Sequence, residues 1–192
     1  MKRIIGLFLP CVMLTQIAEG GASNHDPRSV LLRVSDVRTS LKPTAGPNNV
    51  NNCLIVYTDG RLHLELRRQE FFFGKASYLS YEGVLSDRDL TFLRSILESS
   101  DVKNLPTPPS PKPPLASDHF SWFTAEISRG SGVQEAGYFA WDGEPKPSEG
   151  DEKVWEKERR VLEPLAEWVG STKSLDHAGW KKVRNADSVC GR

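Results

Sequence analysis

The sequence predicts an α+β domain with a single antiparallel sheet of about five to six strands and two helices packed on one face. Strand-like segments follow one another in hairpins instead of alternating with helices, and two later segments carry the apolar spacing of amphipathic helices. The chain has 192 residues, enough for one domain. Hydrophobic residues make up 38% of it and charged residues 26%, which permits a packed core.

The first segment has the pattern of an export signal. A short basic start precedes an apolar run over residues 4–15, which is too short to span a bilayer, and small residues follow it. We therefore predict a signal peptide over residues 1–22, an α+β domain over 23–172 and an irregular tail over 173–192. An uncleaved anchor and a buried first element are the alternatives. The signal peptide implies a secreted or periplasmic protein.

The first four strands are predicted from one hairpin and two flanking strand-like segments. Residues 29–38 form the first strand, and "CLIVYTDGRLHLELR" forms a hairpin in which Asp59-Gly60 is a two-residue turn signal. The two-residue register places six side chains together on the core face: Cys53, Ile55, Tyr57, Leu62, Leu64 and Leu66. It leaves His63 and Glu65 on a mixed, exposed face. The fourth strand is "YLSYEGVL".

Helices and a proline-rich connector complete the predicted domain. Ser86 is a favourable N-cap for a short helix ending near Ser99. Six prolines within the connector at residues 106–117 exclude helix and central strand there. The strands "HFSWFTAEIS" and "VQEAGYFAW" follow, and then a last helix over residues 152–169, which Pro164 should kink or divide.

The cysteines predict one disulfide. Cys11 leaves with the signal peptide, so Cys53 and Cys190 remain, and exported chains usually pair their cysteines. In the chain-entropy model, a loop of this length gains about 4 to 5 kcal/mol at most. Two free or separately buried thiols are the alternative.

Two pairs of residues are candidates for chemistry. His63 and Glu65 lie two apart on one strand and could form an acid–base pair or half of a metal site, although no further ligand segment accompanies them. We interpret them as part of an exposed strand face. Glu126 and Glu135 face each other if the second hairpin turn has an even number of residues, and such a pair could serve glycoside hydrolysis. A one-residue bulge would instead place Glu126 opposite Gln134 or Ala136.

Apolar segments are candidates for partner contact. Phe120, Trp122, Phe139 and Trp141 share one strand face, which we interpret as a core cluster, with a sugar-stacking platform as the alternative. Regular core packing does not explain the run Phe71, Phe72 and Phe73 or the prolines of the connector. Possible partner contacts are therefore predicted at five positions: Phe71, Phe72, Phe73, Pro109 and Pro111. A stiff spacer is the other interpretation of the proline run.

The segment from Cys53 to Leu97 resembles small secreted bacterial proteins of uncharacterised role. The shared features are the strand and turn "CLIVYTDGRLHLELR", then "YEGVLS", then the amphipathic helix "LTFLRSIL". The resemblance implies an exported α+β domain and brings no activity, cofactor or catalytic residue with it.

We therefore expect an exported, non-enzymatic domain that binds a protein or a cell-envelope component. The formal charge of zero gives no basic surface for nucleic acid. No cofactor, metal site, catalytic residue or membrane-spanning segment of the mature chain is assigned. The alternatives are an envelope-acting hydrolase that uses Glu126 and Glu135, and a structural accessory protein without a ligand.

Overall fold

The computed structural model describes residues 29–40, 49–69, 75–110, 119–141, 146–174 and 180–183. These residues form seven strands and three helices. The elements are β1 (Val30–Ser40), β2 (Asn49–Tyr57), β3 (Arg61–Gln69), β4 (Ser77–Val84), α1 (Asp87–Leu97), α2 (Ser100–Lys103), β5 (His119–Arg129), β6 (Gly132–Trp141), α3 (Glu149–Ser174) and β7 (Lys181–Val183).

All seven described strands belong to one antiparallel sheet in the order β6-β5-β1-β2-β3-β4-β7. The single antiparallel sheet is confirmed and, with the helices, is consistent with the α+β class, but the expected five to six strands were too few. The additional strand is β7, within the segment that we expected to be an irregular tail. Three residues are too few for a sequence pattern. The preceding Trp180 helps to position the strand, because its ring packs where a Cβ on Gly83 of β4 would lie.

The hairpin between β2 and β3 has a longer turn than we predicted. The Gly60 N–H donates to the Tyr57 carbonyl at 3.0 Å and Gly60 has φ of +85°, so Thr58, Asp59 and Gly60 all lie in the loop. This is the three-residue turn in which a glycine takes the left-handed conformation. The register therefore shifts by one residue, and Leu54 pairs with Leu64.

The shifted register changes which side of β2 faces the main core. Leu54 and Val56, rather than Cys53 and Ile55, join the leucines of β3 in the core cluster. α1 and α3 supply further buried members of that cluster: Leu93, Ile96, Leu97, Leu162, Leu165, Trp168 and Val169. The odd-numbered residues of β2 and β3 lie on the opposite face of the sheet, as expected from strand alternation.

Polar caps begin both long helices. The Ser86 hydroxyl accepts from the Asp89 N–H at 3.1 Å, as predicted for the start of α1. α3 begins three residues before the predicted start, where the Ser148 hydroxyl accepts from the Asp151 N–H at 3.1 Å. The helix is continuous through Pro164 and Gly170 and ends at Ser174, so Pro164 does not divide it. Among the described residues, no helix is both long and apolar enough to cross a bilayer.

Candidate functional site

α3 lies along the outer edge of β6, the last strand on that side of the sheet. The Gly137 N–H of β6 donates to Glu158 Oε2 of α3 at 2.8 Å. Glu158 is fully buried, and desolvation by that burial raises the pKa of its carboxyl group. This hydrogen bond satisfies a backbone donor of an edge strand and attaches the helix to the sheet edge.

An aromatic hollow opens between β6 and the first half of α3. Trp155 of α3 contacts Phe139 and Trp141 of β6, with ring centroids 5.2 Å and 5.4 Å apart and the planes tilted by about 60°. These three rings line a hollow of about 440 Å³, with Glu152 and Glu156 also in its wall. The volume lies within the range of small-molecule sites.

A second, polar hollow of about 350 Å³ adjoins the aromatic hollow. Tyr138 and Arg159 line both hollows and separate them. Arg160 and Glu163 contribute charged side chains to the polar hollow. We refer to the two hollows together as the β6–α3 cleft.

Three charged side chains of the aromatic hollow form no ion pair within the described residues. Within the described part of the chain, none of Glu152, Glu156 and Arg159 takes part in an ion pair. Arg159 and Glu163 are four residues apart on α3, a spacing that often produces an ion pair, and still none forms. A bound polar molecule would therefore not have to break existing contacts of these groups.

The aromatic face of β5 and β6 is not part of the main core, so the predicted core cluster is wrong. Phe120 pairs with Trp141 and Trp122 pairs with Phe139, so all four side chains do share one face. All four remain half-buried, and Phe120 stacks on Trp122 with centroids 5.1 Å apart. Phe139 and Trp141 belong to the aromatic hollow, whereas Phe120 and Trp122 do not line it.

His63 and Glu65 are buried, which contradicts the expected exposed face. They are 2% and 3% exposed. Their neighbours on this face, Ile55 and Cys53 of β2 and Ser80 of β4, are buried as well, so the second face of the sheet is also enclosed at these positions. His63 Nε2 lies 2.9 Å from Glu65 Oε1.

A third member, Glu82 of β4, completes this buried cluster. His63 Nδ1 lies 2.6 Å from Glu82 Oε1, and the Glu82 side chain is 46% exposed. Both ring nitrogens thus face carboxylate oxygens, and the two hydrogen bonds require two protons to be shared among the three side chains. Because His63 and Glu65 are inaccessible from outside, the cluster offers no site to a substrate. No group of three or more metal-binding side chains was found among the described residues.

Glu126 and Glu135 are Cα partners, because the second hairpin has a two-residue turn at Gly130 and Ser131. Both residues are exposed, and Arg33 lies 3.5 Å from Glu126. Neither carboxylate lines the β6–α3 cleft. Because both side chains are exposed and lie outside the cleft, this pair is not part of an enclosed site where a substrate could be held.

The remaining predicted contacts lie largely outside the described residues. This applies to Phe71, Phe72, Phe73 and Pro111. Pro109 is described and is half-buried in an irregular segment. Cys53 is buried and disulfide-bonded. Cys190 lies outside the described residues, so the Cys53–Cys190 pairing stays a prediction.

Sequence reasoning missed three residues of this region: Trp155, Glu158 and Arg159. A signal for the first two exists, because a buried stripe of α3 runs at helical spacing through Trp155, Glu158, Leu162, Leu165 and Val169. A glutamate on such a stripe indicates a buried carboxylate that needs a donor. The donor, a backbone N–H of a strand edge, has no sequence signature.

No protein-family model matches the chain, and no curated protein is significantly similar to it.

Proposed function

We propose that the protein is an exported, non-catalytic binding domain that holds a cell-envelope component in the β6–α3 cleft. The observation that carries this proposal is the aromatic hollow, where three rings and the charged side chains of Glu152, Glu156 and Arg159 line a concavity of about 440 Å³. Binding sites typically combine such apolar walls with a few polar groups that orient the ligand.

The contacts of α3 support a preformed cleft. Glu158 attaches the helix to β6, and Leu162, Leu165 and Trp168 join the main core. We also infer that α1 and α3 pack on the same sheet face, since their buried side chains belong to one cluster. These contacts with β6 and with the core fix Trp155 before any ligand binds. Binding then costs less conformational entropy, because the site is already ordered.

The hydrolase alternative receives less support from the geometry. Glu126 and Glu135 are exposed and lie outside both hollows, so a molecule in the cleft would not contact them. The structural-accessory alternative predicts no ligand at all, and the experiment below separates it from the binding proposal.

Sedimentation with insoluble cell-envelope material of the source cells tests the proposal. The exported protein should co-sediment, and Trp141→Ala should weaken this by at least about tenfold, since it removes a wall of the hollow. Trp122→Ala is the matched control, because it removes a half-buried tryptophan of the neighbouring strand outside the cleft. Absence of sedimentation, or equal losses in both variants, would contradict the proposed function.

A further inference from the structure

We propose that the ligand of the β6–α3 cleft is a neutral, hydroxyl-rich oligosaccharide that extends along both hollows. This inference rests on the proposed function, since it names the ligand class of the same site. Four features of the cleft support it: the tilted rings, the balance of charge, the shared wall between the hollows and the blocked edge of β6.

The rings offer flat apolar surfaces at an angle to each other. Trp141 and Trp155 are tilted by 60° with centroids 5.4 Å apart, and Phe139 meets Trp155 at 59°. A pyranose ring has apolar C–H faces and a polar equatorial rim. It therefore places a face on one aromatic ring while its hydroxyls point to the polar wall, as expected for amphipathic ligands at aromatic sites.

The charged groups around the cleft favour a neutral ligand. Each hollow is lined by two basic and two acidic side chains: Lys146, Arg159, Glu152 and Glu156 in the aromatic hollow, and Arg159, Arg160, Glu163 and Glu167 in the polar hollow. Carboxylates near the site would repel an anion, and the arginines would repel a cation. A charged ligand of either sign would therefore gain less electrostatic attraction in the cleft. A hydroxyl both donates and accepts, so it matches carboxylates and guanidinium groups side by side.

The shared wall indicates an elongated ligand. Tyr138 and Arg159 line both hollows, of about 440 and 350 Å³, so one molecule could extend from the aromatic to the polar hollow past these two side chains. Arg159 would then contact the chain near its middle. An oligosaccharide of several units uses both hollows, whereas a single sugar unit fills only one.

The edge of β6 argues against an extended peptide as the ligand. Peptides that bind at sheet edges add a strand through main-chain hydrogen bonds. Here the Gly137 N–H already donates to Glu158, and α3 lies beside that position. A glycan needs no backbone ladder, so the occupied edge does not hinder it.

Titration of the exported full chain with cellotetraose and with chitotetraose, followed by calorimetry and tryptophan fluorescence, tests this inference. At least one tetrasaccharide should bind with a dissociation constant of about 1 mM or tighter, and its disaccharide should bind at least about tenfold more weakly. Binding should stay nearly constant between about 0.05 and 0.5 M salt, because a neutral ligand is little affected by screening.

Variants locate the bound sugar. Arg159→Ala should weaken binding of the tetrasaccharide by at least about tenfold, whereas Arg88→Ala, which removes an exposed arginine of α1, should leave it unchanged. Trp141→Ala and Trp122→Ala form the second matched pair. A melting curve shows whether Trp141→Ala folds. If it does not, Arg159→Ala and Glu156→Gln still test the site, because they change only exposed side chains.

Several outcomes would overturn the inference. They are no saturable signal from either tetrasaccharide up to about 10 mM, equal affinities of tetramer and dimer, undiminished binding by Arg159→Ala, or strong salt dependence. Sedimentation with envelope material that depends on Trp141 but is not displaced by a tetrasaccharide would leave the proposed function intact and refute the oligosaccharide alone.

Discussion

Replacing His63 by leucine tests whether the buried cluster of Glu65, His63 and Glu82 stabilises the sheet through its hydrogen bonds. The substitution keeps a similar volume but removes the donor 2.9 Å from Glu65 Oε1. Glu65 is 3% exposed, so its carboxylate loses this partner without gaining water. Breaking a buried pair in this way typically costs about 3 to 5 kcal/mol of unfolding free energy.

Removing both buried members should cost much less than removing one. In His63→Leu/Glu65→Leu no buried charge remains at these positions, and hydrophobic replacements of buried pairs are often neutral. Glu82 loses a partner as well, but its side chain is 46% exposed, so hydration limits that loss to less than about 1 kcal/mol. We therefore expect a double mutant within about 1 to 2 kcal/mol of the unaltered protein.

Urea unfolding of the protein, followed by tryptophan fluorescence, gives the four free energies of the double-mutant cycle. The coupling energy between His63 and Glu65 should be at least about 2 kcal/mol. Glu82→Gln is the control, since it changes the exposed member of the cluster and should cost less than about 1 kcal/mol. Additive losses, with the double mutant as unstable as the sum of the single ones, would refute this account of the cluster.

Two further predictions concern the contacts that hold α3 and β7 to the sheet. Burial raises the pKa of the Glu158 carboxyl group above its ordinary 4.5. The stability that the protonated side chain contributes is therefore fully present below about pH 4.5. It is lost as the pH rises through the raised pKa of the folded protein. We therefore compare the unfolding free energies of the unaltered protein and of Glu158→Gln. The value for the unaltered protein should increase relative to that of the variant as the pH is lowered from 7 to 4.5. If the two plots of unfolding free energy against pH are parallel, Glu158 is not a buried, titrating carboxylate. Gly83→Ala should destabilise by about 1 to 3 kcal/mol, because the new Cβ would lie 2.8 Å from the Trp180 ring. Gly170→Ala in α3 meets nothing within 4 Å and should instead stabilise slightly, and equal melting temperatures of the two variants would disprove the close packing of Trp180.

Local signals predicted most of the secondary structure. The cap at Ser86, the apolar spacing of α1 and the alternation in β5 and β6 depend on residues near one another in the chain, and the structure contains each of these elements. The pairing of Glu126 with Glu135 also followed from the length of a local turn. Such features are predictable because their energies arise within a few residues.

The register of the first hairpin shows where local signals are insufficient. Asp59-Gly60 is compatible with a two-residue turn and with the three-residue turn that formed, and the two differ by one position in strand pairing. That single position decided whether Ile55 or Leu54 faces the main core.

The sequence by itself determined the α+β class, the single antiparallel sheet, the main helices and the aromatic positions on β5 and β6, because these follow from local spacing and capping. Only the tertiary structure decided that α3 lies along the edge of β6 and brings Trp155 to Phe139 and Trp141. Trp155 is more than ten positions from these two residues in the chain, and a hydrogen bond between Glu158 and the Gly137 backbone joins the same two elements. The β6–α3 cleft arises from this long-range contact, which no local pattern encodes.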